Sequence, residues 1–173
     1  GFCLWPTKLH EYHVGRSPGG VDVVRSFVDS CRKFGVSPGL YYSLGSEFLI
    51  GDYKHADGTE NREKVNQTLL TQLEELLTWY GPIDELWFDG GVLRAELGGP
   101  DIPALLDRIA PDIICFGGPP GVKNLLRWSW NESGVAPPEC YSTAHFGPGG
   151  NPVNVTCDSP GDPDDPLWAP MEV

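Results

Sequence analysis

The sequence predicts an α/β fold built on a parallel sheet, and three observations carry that expectation. Short strand-like runs alternate with amphipathic helical stretches in β-α-β-α-β order. The strand-like runs are almost wholly apolar, as strands covered by helices are. One of them stops abruptly at an acid followed by two glycines, Glu85-Leu86-Trp87-Phe88-Asp89-Gly90-Gly91, which is how such a strand delivers a carboxylate to its C-terminal rim. A barrel and an open doubly wound sheet both fit this pattern.

The first helix is expected from Val21 to Phe34, because Val24, Phe27, Val28, Cys31 and Phe34 recur at helical spacing and Gly35 is placed to end it in the left-handed conformation. Pro38 to Ser43 reads as a β-prone run after a breaker. A polar, Gly-rich loop from Leu44 to about Glu60 exceeds the usual loop length of roughly 12 to 15 residues and is read as functional. The next helix runs from about Asn61 to Tyr80, with Val65, Leu69, Leu73, Leu76 and Tyr80 on one face and Gly81-Pro82 as its stop. After the strand ending at Asp89 come a helix from about Asp101 to Ile109, with Pro103 in its first turn, and a strand from Asp112 to Phe116. Gly1 to Trp5 reads as the end of a strand, and Leu167 to Val173 as an aromatic segment without a closing element, so residues 1–173 are expected to be one piece of a larger domain.

Composition removes several functions. The formal net charge of −12 opposes nucleic-acid binding, which needs a basic surface. No stretch approaches the roughly 18 consecutive apolar residues of a membrane span. The glycine runs lack the spacing of a nucleotide-binding loop, so no nucleotide cofactor is expected. The five cysteines, Cys3, Cys31, Cys115, Cys140 and Cys157, show no Cys-x-x-Cys spacing that would suggest zinc. Cys31 and Cys115 read as core residues, and Cys140 and Cys157 are able to pair in an oxidising compartment. His10 and His13 sit in a Pro- and Gly-flanked loop without a third ligand and are expected at the surface, with no metal assigned. Asn66, Asn131 and Asn154 open glycosylation sequons, and the acidic run Asp158 to Pro166 reads as a solvated loop rather than a calcium site.

Asp89 is the residue assigned to react, although an Asp-Gly pair also serves as a simple turn. Beyond the third strand, Arg127-Trp128-Ser129-Trp130-Asn131-Glu132 combines a cation, two indoles, an amide and a carboxylate, with neither helical nor strand period. Aromatic faces beside polar groups are how proteins hold sugars. Asp89 and Glu132 then supply the two carboxyls that glycoside hydrolysis requires.

Several stretches, in order, resemble the α-L-fucosidases of glycoside hydrolase family 29. They are Gly1 to Pro6, Asp22-Val23-Val24 with Cys31-Arg32-Lys33, Pro38 to Ser43, Tyr80 to Gly90, and Arg127-Trp128 with Asn131-Glu132. The resemblance implies part of a (β/α)8 barrel truncated at both ends, with Asp89 as the nucleophile of a retaining reaction and Glu132 as its general acid/base. It also implies a fucosylated oligosaccharide or glycoconjugate as substrate, with α-1,3 or α-1,4 linkage, and no cofactor. Trp87, Arg127, Trp128, Tyr42 and Trp5 are assigned to the sugar. Family members carry a His-His-Asp immediately before the Gly-Phe that starts this sequence, and Tyr41-Tyr42-Ser43-Leu44 departs from the Tyr-Leu-Ser-Pro-Trp-Asp form of the 1,3/1,4 subgroup. A secretory-pathway location, a catalytically inactive fucose-binding relative, and a metal-dependent barrel hydrolase using His10, His13 and Asp89 complete the readings that the sequence supports.

Overall fold

The computed structural model describes residues 2–44, 57, 59–90, 94–119, 121–128, 138, 141, 143, 163–164, 168 and 171–172. Five parallel strands, β1 (Gly39–Ser43), β2 (Glu85–Asp89), β3 (Ile114–Phe116), β4 (Leu125–Trp128) and β5 (Met171–Glu172), form one sheet in the order β1-β2-β3-β4-β5. Three helices, α1 (Val23–Lys33), α2 (Arg62–Trp79) and α3 (Ile102–Ile109), accompany them. Spatial order follows chain order without a reversal, so right-handed crossovers put successive helices on the same face. Among the described residues that winding shows no switch point of the doubly wound kind, and it is consistent with a barrel segment.

Local chemistry accounts for the helix limits. Asp22, Asn61 and Asp101 cap the three helices, each carboxylate or amide oxygen accepting from the backbone N–H three residues on, at 2.9, 3.1 and 3.0 Å. At the end of α1, Gly35 takes φ of 68°, and the N–H groups of Gly35 and Val36 bond back to Arg32 and Cys31, satisfying carbonyls the helix leaves open. Gly81, at φ of 75°, turns the chain after α2 before Pro82.

The core lies between the helices and one face of the sheet. Val24 and Val28 of α1, Val65, Leu69, Leu73, Leu76 and Leu77 of α2, and Ile102, Leu105 and Leu106 of α3 meet Tyr42, Leu86, Phe88 and Cys115 from the strands. The helical face expected of α2 is buried throughout, including Tyr80. On α1 the expected face is only half buried: Phe27 is 45 % and Phe34 75 % exposed. At about 100° per residue these two lie roughly 60 to 80° round the helix from Val24, beyond the stripe that reaches the sheet. Two ties lock α1 to α2. The Tyr80 hydroxyl donates to Asp22 at 2.9 Å, and the Arg25 guanidinium stands 4.5 Å from the Tyr80 ring centroid.

Two elements differ from the expectations. Arg127 and Trp128, expected in an aperiodic loop, have their backbone in β4, and Met171 and Glu172, expected to close nothing, pair with them as β5. A four-residue strand and a two-residue strand are too short to show a period, and only their partner's ladder defines them. The loop from 45 to 56 lies outside the described residues.

Leu69, with no exposure, should lose about 2 to 5 kcal/mol of stability on truncation to alanine. Phe34→Ala should change it by no more than about 0.5 kcal/mol. Urea unfolding midpoints of the two variants check this packing, and equal losses would show that α1 and α2 are placed wrongly.

Candidate active site

Strand alternation sorts the two faces of the sheet. In β1, Leu40, Tyr42 and the following Leu44 share one face, and Gly39, Tyr41 and Ser43 the other. In β2, Leu86 and Phe88 oppose Glu85, Trp87 and Asp89. The parallel register pairs Tyr41 with Trp87, Ser43 with Asp89, and Trp87 with Phe116. The face away from the helices therefore carries a row of three rings ending beside a carboxylate. Tyr41 and Trp87 stack at a centroid distance of 5.3 Å, and Trp87 and Phe116 at 4.2 Å with planes 9° apart. Such pairs each add about 0.5 to 1.5 kcal/mol beyond area burial, which stiffens this face.

Asp89 ends β2 at the C-terminal rim, level with Ser43 and next to the Gly117 turn that follows β3. Its Oδ1 accepts the Gly90 N–H at 2.7 Å, and its Oδ2 accepts the Tyr41 hydroxyl. Gly90 adopts φ of 74°, which turns the backbone so that its N–H addresses the preceding side chain. Two of roughly four lone-pair positions are thereby used, one on each oxygen. Among the described residues these two bonds hold the carboxylate plane on an exposed side chain. A fixed, exposed carboxylate at a strand's C-terminal end suits attack on an electrophilic carbon or charge stabilisation next to one. On the core side of the same rim Gly118, at φ of 104°, accommodates the Phe88 ring: a Cβ on it would stand 2.9 Å from Phe88 Cδ2.

The other assigned residues divide. Trp87 shares the face of Asp89, but its indole is stacked between Tyr41 and Phe116. Tyr42 points to the helices, where it is buried and donates to Gln72 Oε1 at 2.8 Å. The tyrosine beside Asp89 is its neighbour Tyr41. The signal was available in the alternation of Leu40, Tyr42 and Leu44, three apolar residues that claim the core face. Trp5 is buried with its indole N–H donating to Glu75 Oε2 of α2 at 2.8 Å, which places it on the helix side. Arg127 and Trp128 contribute backbone to β4, the strand beside β3. Glu132 lies outside the described residues, as do Cys140, Cys157, Asn131, Asn154 and most of the acidic run.

The histidines are not simple surface residues. His13 is buried, and its Nδ1 accepts the Gly15 N–H at 3.0 Å, capping the 3-10 turn Val14–Arg16. His10 is half-buried, and its Nδ1 accepts the Tyr12 N–H at 3.2 Å. Loop composition suggested exposure, but hydrogen bonding to backbone donors lets imidazoles sit inside. Among the described residues no three His, Cys, Asp or Glu side chains gather as metal ligands. Cys3, Cys31 and Cys115 are free thiols; burial pushes Cys3 up to about 11 and Cys115 up to about 12, so both stay protonated and unreactive.

With this geometry in place, likeness to known proteins becomes informative. Residues 1–133 match the family model described as Alpha-L-fucosidase. Alpha-L-fucosidase 1 of Arabidopsis thaliana is 31 % identical over 151 residues, covering 82 % of this chain and 28 % of the plant protein. An Oryza sativa relative is 33 % identical over 154 residues, covering 82 % and 27 %. A solved glycoside hydrolase 29 family member from an unknown rumen bacterium superposes with a TM-score of 0.70 at 28 % identity, over 99 % of this chain and 32 % of that one. A Bacteroides thetaiotaomicron structure gives a TM-score of 0.75 at 26 % identity, over 97 % and 41 %. The fold and these relatives place the chain in a glycoside hydrolase family. The chain belongs to the α-L-fucosidase family, and it spans little more than a quarter of the length of these two plant relatives.

The sequon at Asn66 lies within α2, where Asn66 Nδ2 donates to the Gly98 carbonyl at 2.8 Å and the buried Thr68 hydroxyl donates to the Lys64 carbonyl at 2.8 Å. Asn66 should therefore remain unmodified. Enzymatic deglycosylation in heavy-oxygen water, after expression in a glycosylating host, should leave its peptide unlabelled; a labelled Asn66 would contradict the placement of α2.

Proposed function

We propose that this chain is the central part of the catalytic (β/α)8 barrel of a retaining α-L-fucosidase, acting on terminal α-linked L-fucose of the α-1,3 or α-1,4 type in fucosylated glycans. The observation that carries the reading is Asp89: an exposed carboxylate at the rim, fixed through Oδ2 by Tyr41 and through Oδ1 by Gly90. An oxygen of Asp89 attacks the anomeric carbon and forms the glycosyl ester while the bond to the aglycone oxygen breaks. Glu132 gives its proton to that oxygen, then takes one from the water that hydrolyses the ester. In a retaining enzyme the two carboxyls stand about 5 to 5.5 Å apart. Tyr41 holds the nucleophile in plane, and Trp87, Arg127 and Trp128 line the sugar. Tyr42 and Trp5 have no part in it, because each is committed to a bond on the helix side.

A metal-dependent hydrolysis using His10, His13 and Asp89 gains no support, since both Nδ1 atoms already accept backbone N–H groups. A fucose-binding relative without turnover is separated by assay, because the carboxylate would then be dispensable for catalysis and not for affinity.

The division of labour is testable in the full-length protein that contains the segment. Asp89→Gly should abolish hydrolysis of aryl α-L-fucosides, and azide should restore reaction with the β-fucosyl azide as product, inverted by a single displacement. Glu132→Ala should spare the first step for good leaving groups, and azide should then give the α-fucosyl azide. The same anomer from both variants would refute the assignment. Tyr41→Phe keeps the ring stack and removes one hydrogen bond to a charged oxygen, so kcat should fall by roughly 10- to 100-fold with KM little changed. Unaltered kcat would remove Tyr41 from the mechanism.

A further inference from the structure

The segment from Cys3 to Val14 folds back on itself and is closed by two backbone bonds, Cys3 N–H to the Tyr12 carbonyl at 3.2 Å and Val14 N–H to the Cys3 carbonyl at 3.0 Å. The Phe2 and Tyr12 rings meet edge to face across it at 5.0 Å. Inside this closed loop the only two imidazoles of the segment do the same unusual thing: each offers Nδ1 as acceptor to a backbone N–H, His10 to Tyr12 and His13 to Gly15. A backbone amide donates and cannot accept, so a proton on Nδ1 would set one N–H against another. The Nε2 of His10 lies 3.7 Å from Cys3 Sγ and 3.4 Å from the Gln72 amide nitrogen, a second donor facing the ring.

We propose that the loop Cys3–Val14 is a proton-released latch, closed while His10 is neutral and opened when its imidazole takes a proton on Nδ1. Protonation sets N–H against N–H at Tyr12, and the bond that held the loop becomes a repulsion. The groups facing His10 are the Cys3 thiol and His13 from the loop, Glu75 and the Gln72 amide from α2, and, beyond Gln72, Tyr42 from β1. Burial first, then His13, holds the His10 imidazole below its ordinary value of 6.5, against Glu75, which raises it. The sign follows from that depression. The contribution of the neutral ring to loop stability is complete above about pH 6.5 and is lost as pH falls through the lower folded value. Glu75 does not cancel the effect, because its two oxygens already accept the Trp5 indole N–H at 2.8 Å and the Lys8 N–H at 3.0 Å. Opening matters to the sheet as well: Cys3, Leu4 and Trp5 form one wall of a cavity of about 530 Å³ whose other wall is β1, including Tyr41 and Ser43. The latch stands whether or not the proposed reaction does.

Amide hydrogen exchange, corrected for its intrinsic pH dependence, tests this on the full chain. Protection at Cys3, Tyr12 and Val14 should fall roughly tenfold between about pH 7.5 and about pH 5, while Leu69 and Leu73 of α2 hold theirs. The variant His10→Asn places a non-titrating oxygen where Nδ1 was, and its protection should be the same at both pH values. Unchanged protection in the wild-type loop, or a loss shared equally by α2, would overturn the latch. So would a pH-dependent loss that persists in the His10→Asn variant. The wild-type profile decides the matter alone if that variant does not fold.

Discussion

The parallel pairing of β1 with β2 is the constraint on which the rest depends. Setting Ser43 opposite Asp89 aligns Tyr41 with Trp87 and sends Tyr42, Leu86 and Phe88 together into the helices. A slip of one residue in β1 would bury Tyr41 and expose Tyr42, and one in β2 would bury Asp89 and expose Leu86, neither of which the core can tolerate. The apolar alternation that stabilises the fold is thus the same feature that brings a phenol hydroxyl to a rim carboxylate.

Supports for that register come from outside the strands. Gln72 and Glu75 are buried polar residues on the sheet-facing side of α2, and each is satisfied by a group of a neighbouring element: Tyr42 for Gln72, Trp5 and the Lys8 backbone for Glu75. Buried polar groups cost stability unless paired, so these bonds discriminate strongly against other placements of β1 and the amino-terminal segment. The helix therefore does more than cover the sheet with leucines. It specifies which way round β1 sits.

Much of this was legible in the sequence, and the reasons differ by element. Long periodic stretches ending in Gly or capped by Asp and Asn declare themselves, and α1, α2 and α3 fall within two residues of their expected limits. Asp89 was legible because a strand that breaks off at Asp-Gly-Gly has one chemically distinctive position. Tyr41 was missed in favour of Tyr42, since a five-residue strand with adjacent tyrosines needs its partner's register to choose between them. β4 and β5 were missed because strands this short carry no period, and His13 was misplaced because composition cannot show a backbone donor aimed at an imidazole. The family resemblance reached further than local pattern here, since the ordered set of stretches it rests on runs through the region matched by the family model.

Trapping the covalent intermediate tests the central claim most directly. The full-length protein would be treated with a 2-deoxy-2-fluoro-α-L-fucosyl fluoride, whose electronegative 2-substituent slows both steps while its fluoride leaving group restores the rate of the first, so that the glycosyl ester accumulates. Peptide mapping should place the fluorofucosyl mass on Asp89, within the peptide carrying Glu85-Leu86-Trp87-Phe88-Asp89, with loss of activity in step with labelling. A label on another carboxylate, or continued turnover of fucosides with Asp89 removed, would contradict the account.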